Sequence, residues 1–349
     1  MTKKVFKINV LHESVKEQNK WQMPIFILFL FFSIFVSQWS WAENSSEEVL
    51  YSIHEPLVTK SLLLDIVKTT KKSFVAVGER GHIVYSYDGG VKWKQAKVPT
   101  RSTLTSVFFL NNKKGWAVGH DAVILTTSDG GKNWTSQFYA PDKEQPFMDI
   151  WFQDEKFGIA IGAYGMYLDT KDGGKNWDVQ YYESLDDPDF GLPHFNGIGI
   201  TPEKVLYMTG EAGFIARSNN IGESWTPLDR PYNGSYFTLL ITKNNNLISA
   251  GLRGNIWKSK DQAASWEKIE TNNVASINSS IQLSNGDIFF VCMDGVSIHC
   301  QNGCEELKLN LRSDRVAIAA VAEKGINHLI AVGEKGIMHI GLDGQDIEP

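Results

Sequence analysis

Four aspartates stand in one recurring octapeptide, and carboxylates repeated in a fixed pattern are the side chains of this sequence best placed to do chemistry. Ser86-Tyr87-Asp88-Gly89-Gly90-Val91-Lys92-Trp93 recurs around Asp129 and Trp134 and again around Asp172 and Trp177. Looser copies contain Asn220 with Trp225 and Asp261 with Trp266. Carboxylates serve as general acids, as nucleophiles in glycoside hydrolysis or as ligands for hard cations, and such sites bring several of them close together. Here the five tryptophans are 41, 43, 48 and 41 residues apart, so each copy falls on its own repeat and the acids are kept apart. The same residues have a turn chemistry instead. Asp accepts amide hydrogen bonds, Gly allows positive φ, and the Ser or Thr hydroxyl holds the preceding strand. The motif is therefore read as structural, with its tryptophans packed between repeats and no metal or cofactor site.

Other catalytic patterns are weak or missing. The sequence has no phosphate-binding Gly-rich loop ending in Gly-Lys-Ser/Thr, no Cys-x-x-Cys, no His-Glu-x-x-His and no nucleophile elbow. A glycosidase of the sialidase type would need an arginine triad with a Tyr-Glu pair, for which Tyr51, Tyr164 and Glu211 are the available residues. No Arg-Ile-Pro motif accompanies them, so an enzyme is not the preferred reading. Cys300-Gln301-Asn302-Gly303-Cys304 occupies the place where a sixth octapeptide would stand. A disulfide there would staple the turn, the alternative being two free thiols; Cys292 is left over as a small buried hydrophobe.

These residues must be positioned by a repeating element. A glycine ending an apolar run recurs at Gly78, Gly119, Gly162, Gly210, Gly251 and Gly333, with Cys292 at the midpoint of the last gap. That makes seven units, each with four short strand signals, which is the pattern of a propeller blade. The expected fold is an all-β, seven-bladed propeller of four-stranded blades at about 62–103, 104–146, 147–193, 194–235, 236–273, 274–314 and 315–349. The last unit lacks a fourth strand signal, and Val49-Leu50-Tyr51-Ser52-Ile53 belongs to no unit. Residues 49–53 are therefore expected to pair onto the last blade and close the ring, removing two open sheet edges.

The 349 residues carry a net charge of −6, with +3 in the first 42 residues and −9 in the remainder, which argues against nucleic acid as a partner. The basic stretch, the apolar run Pro24 to Val36 and the small residues Ser40 and Ala42 read as a signal peptide cleaved after Ala42, leaving residues 43–349 as an exported domain. An uncleaved N-terminal anchor is the alternative.

The motif Ser/Thr-x-Asp-Gly-Gly-x-x-Trp, preceded by Ala-Val-Gly or Ile-Gly-x-x-Gly, resembles the photosystem II stability and assembly factor family of Asp-box propellers. The stretch Phe108 to Gly119 (FFLNNKKGWAVG) is the closest part of the likeness. The resemblance covers roughly residues 49–342. It implies a non-catalytic, monomeric scaffold in the periplasm or thylakoid lumen that helps assemble or maintain a membrane protein complex. The protein partner would be an integral membrane protein or its exported segment. In a non-photosynthetic bacterium the corresponding role would be that of an envelope accessory protein, for instance of a membrane transporter.

In a propeller the loops between second and third strands gather on one face around the axis, where binding sites concentrate. They place Arg80, His82, His120, Tyr164, Arg253 and Lys335 together as a mainly cationic ring on an acidic protein. Guanidinium forks on that ring would hold carboxylates of an acidic partner segment. The connection Glu183 to His194 accounts for the 48-residue spacing and is a second candidate recognition loop.

Overall fold

The computed structural model describes residues 49–187 and 191–349. The signal-peptide and cleavage expectations fall outside the described residues. Within these bounds the chain forms seven antiparallel sheets, each with its strands in sequence order. Six sheets have four strands and the last has three, Ile318–Gly325, His328–Gly333 and Gly336–Ile340. The inner strands are Leu63–Lys68, Leu104–Phe109, Phe147–Phe152, Phe195–Ile200, Tyr236–Ile241, Ile277–Gln282 and Ile318–Gly325, and each packs on the next around a closed ring.

The second strands are the continuously apolar runs of the sequence. Phe74–Gly78, Gly115–Gly119, Gly158–Gly162, Leu206–Gly210, Leu247–Gly251 and Ile288–Cys292 are buried along their whole length, because a neighbouring blade covers each face. The core is accordingly divided into seven clusters, one at each blade interface.

Ring closure differs from the sequence expectation. Residues 49–53 form no strand and do not reach the edge of blade 7. Their backbone is taken up by blade 1: Ser52 N–H donates to Val98 O at 2.9 Å, Gln95 Nε2 donates to Ile53 O at 2.7 Å, and Arg101 Nε donates to Tyr51 O at 2.9 Å. The outer side of blade 1 offers these polar groups, whereas the upper edge of blade 7 is met by the chain's own tail, with Asp346 bridged to Ile340. Closure rests on the apolar cluster between blades 7 and 1, including Leu63, Phe74, Val84, Ile330 and Val332. Each such side chain contributes roughly 1.5–3 kcal/mol on burial, more than the ~1 kcal/mol net of one strand hydrogen bond, so packing holds the ring without a shared strand.

Candidate binding face

The octapeptide builds the same turn five times. The Ser or Thr hydroxyl donates to the Asp or Asn at 2.8–3.0 Å in each copy, Ser86 to Asp88, Thr127 to Asp129, Thr170 to Asp172, Ser218 to Asn220 and Ser259 to Asp261. That hydroxyl accepts the N–H four residues on from itself, as in Gly90 N–H to Ser86 at 3.0 Å. The acid accepts the N–H four residues beyond itself, as in Asn176 N–H to Asp172 at 2.9 Å. These backbone bonds, with the Asn176 side chain, pull the Asp172 carboxyl down to about 2. In Asp261 the Ser265 hydroxyl and amide do the same. Every copy is thus occupied in holding its own turn. Cys300 and Cys304 form a disulfide with Cα atoms 4.7 Å apart at the corresponding hairpin of blade 6.

The face carrying the turns between second and third strands has a different construction. At the glycine that ends the second strand, an added Cβ would lie 2.1–2.3 Å from the carbonyl oxygen preceding the inner strand: Leu62 for Gly78, Thr103 for Gly119, Pro146 for Gly162, His194 for Gly210, Ser235 for Gly251 and Ala317 for Gly333. The glycine is there for close approach. The next residue's N–H donates to the same oxygen, Glu79 to Leu62 at 3.0 Å and His120 to Thr103 at 2.8 Å, and blade 6 keeps this bond, Met293 to Ser276 at 2.9 Å, although Cys292 replaces the glycine.

This pinch forces a register shift at the second residue of every inner strand. A bulge re-aims its side chain, and here it does so seven times. Leu64, Thr105, Met148, Asn196, Phe237, Asn278 and Ala319 all line a single axial cavity of about 480 Å³. The three polar ones also tie blades together: Thr105 Oγ1 donates to Phe147 O at 2.7 Å, Asn196 Nδ2 to Tyr236 O at 2.7 Å and Asn278 Nδ2 to Ile318 O at 2.8 Å. The sequence reading passed over these seven. Each is the second residue of its inner strand, a place that only the strand pairing reveals.

Around the cavity mouth, the turns are tight hairpins whose apex residue has a left-handed backbone. Arg80 has φ 54°, Asp121 58°, Tyr164 54°, Ala212 52°, Arg253 55° and Asp294 56°. Asp tolerates that region; for Arg and Tyr it costs about 1 kcal/mol relative to glycine. Arg80 and Arg253 are exposed and, among the described residues, paired with no acid. Tyr164 is exposed and its ring sits 4.5 Å from that of His194. The neighbouring acids are occupied: Glu79, Glu211 and Glu334 accept the N–H groups of Leu62, His194 and Ala317 at 3.2–3.3 Å.

The remaining expected ring members divide. His120 is exposed beside its apex. Lys335 is held by Asp314 at 2.9 Å. His82 is not on the surface: it is buried near Glu55 and Glu79, with neither ring nitrogen hydrogen-bonded, and burial lowers its pKa. As the residue closing the hairpin after Gly81, it turns inward where His120 and Tyr164, earlier in their turns, point out. Tyr51 lies on blade 1 against Lys97, Tyr164 on blade 3, and Glu211 on blade 4, so the three glycosidase candidates do not share a site. In the 183–194 connection, Asp187 pairs with Arg230 and Asp186 accepts from Tyr181 Oη at 2.7 Å.

Comparison with known proteins points one way. The sequence model of the family described as photosynthesis system II assembly factor YCF48 matches residues 48–141 and 137–300. A solved structure of YCF48 bound to a D1 peptide is 18% identical, with a TM-score of 0.66 over 83% of this chain and 96% of that one. YCF48 from Cyanidioschyzon merolae is 14% identical, with a TM-score of 0.66 over 83% and 98%. The WD40 propeller domain of Doa1 is 13% identical, with a TM-score of 0.64 over 84% and 95%. None of the curated proteins matches the chain.

Proposed function

Because the chain belongs to the family of the photosynthesis system II assembly factor YCF48, we propose that it is a non-catalytic, exported scaffold that holds an exposed segment of a membrane protein while that protein's complex is assembled or maintained. The observation that carries this reading is the backbone of Arg80, Tyr164 and Arg253. Large side chains are kept at left-handed apices where glycine would cost less, and all three stand on the second-to-third-strand turns, on the face that also carries the cavity-lining Met293 and Glu334 turns. A side chain that is used can keep such strain in place. The cavity wall of Leu64, Met148 and Phe237 would accept an apolar side chain of the segment, while Arg80 and Arg253 would grip a carboxylate bidentately. The solved relative whose partner is a D1 peptide supports a peptide as the ligand class.

The test is affinity capture from native membranes with a tagged 43–349 chain. Arg80→Glu combined with Arg253→Glu is expected to reduce partner recovery about tenfold or more, the equivalent of ~1.4 kcal/mol. Undiminished recovery of every partner by the folded double variant would overturn the assignment.

A further inference from the structure

Five blade interfaces share one arrangement. The octapeptide tryptophan of a blade, or its replacement, shares a core cluster with the outer part of the preceding blade: Trp134 with Ala96 and Val98, Trp177 with Phe138, Trp225 with Tyr182, Trp266 with Leu228, and the Cys300–Cys304 pair with Ile269. Trp93 of blade 1 has no such strand beneath it, because blade 7 stops at its third. It lines a groove of about 950 Å³ together with Ile337, His339 and the exposed Lys60, Lys92 and Lys94, with the carboxylate of Glu55 and with Pro349 of the chain's own tail also on its wall. None of the residues lining the groove also lines the axial cavity.

The floor of this groove is a sheet edge, bordered beside Gly336 by the Val58–Lys60 turn. The two-residue turn between Gly333 and Gly336 makes that pair, and every second pair after it, hydrogen-bonded, so the backbone groups of Ile337 and His339 point away from the sheet. Among the described residues, one of these four groups is met: His339 C=O accepts the N–H of Ile347 at 2.8 Å. Ile347 lies in Asp346-Ile347-Glu348, an acidic and apolar alternation laid antiparallel on the upper end of the same strand. The chain thereby displays on its own edge the kind of strand that fits.

We infer that the Gly336–Ile340 edge is a second docking site, which receives an extended acidic segment of a partner protein as the missing fourth strand of blade 7. Main-chain bonds to Ile337 and His339 would supply the pairing, apolar side chains would cover Trp93 and Ile337, and carboxylates would meet Lys60, Lys92 and Lys94.

The test uses the full chain and a fluorescein-labelled peptide of alternating glutamate and valine, with anisotropy and amide exchange read together. The inference expects Ile337 and His339 amides that exchange freely without peptide and at least about tenfold more slowly with it. Lys92→Glu with Lys94→Glu, both exposed, should weaken binding about tenfold at unchanged Tm, and N-methylation of alternate peptide amides should abolish binding. No binding at about 1 mM peptide, full protection of both amides in the free protein, or indifference to N-methylation would each overturn it. Arg80→Glu should leave this binding intact, which separates its failure from that of the axial site.

Discussion

At the scale of single residues, two aspartates inside the ring behave unlike those of the octapeptide. Asp149 accepts Ile198 N–H at 3.0 Å, Ile150 N–H at 2.8 Å and the Ser106 hydroxyl at 3.0 Å, tying blades 2, 3 and 4. Asp65 accepts Val107 N–H at 2.8 Å, tying blades 1 and 2. Burial outweighs these bonds and pushes both carboxyls up to about 6. Unfolded, they would titrate near 3.8. The folded chain therefore binds more protons between those values, so their contribution is fully present below the unfolded value and is lost as pH rises through about 6. Asp149→Asn removes the titration and one acceptor. Its Tm deficit against wild type is expected to be larger at pH 5 than at pH 8, by roughly 2–4 °C. A deficit that is constant or grows with pH would show that Asp149 is not protonated in the folded ring.

At the scale of elements, the pinch between second-strand glycine and inner-strand carbonyl is the device that makes the mouth. It produces the bulge, and the bulge turns one side chain per blade toward the axis. Gly210→Ala would set a Cβ 2.1 Å from His194 O, which only a backbone shift can relieve. The expected cost is roughly 1–3 kcal/mol, measurable as a fall in the urea midpoint, together with displacement of Asn196 from Tyr236 O. The same substitution at Gly325, where an added Cβ meets nothing within 4 Å and φ is not positive, is the control that lacks the close approach. Equal losses at Gly210 and Gly325 would mean that space at Gly210 is not what matters. The cysteine pair shows the converse, in that an element may lose its octapeptide and keep its place by filling the same interface with other atoms.

At the scale of the whole molecule, seven blades were legible because the tryptophan recurs in five repeats and the strand-ending glycine in six, at one period, and the interfaces they build are alike. What the repeat could not reveal is where the rule ends. Val49 to Ile53 has the composition of a strand, yet Gln95, Val98 and Arg101 offer its backbone partners on blade 1, and alternation alone does not choose between two open edges. His82 departs from the ring for a related reason: it stands two residues past the Arg80 apex, where the chain re-enters the blade and the side chain turns inward. The bulged residues were hidden because a register shift leaves no mark in hydrophobic spacing. The arginines were visible as charge, and their left-handed backbone, which argues for use, was not. That conformation permits the most direct trial of the axial-site account: replace Arg80 and Arg253 with glycine, and measure both Tm and partner capture from native membranes. Glycine relieves the strain, by up to about 1 kcal/mol at each turn, so the account predicts a Tm that is unchanged or raised together with loss of capture. Capture at the wild-type level by that folded variant would contradict it.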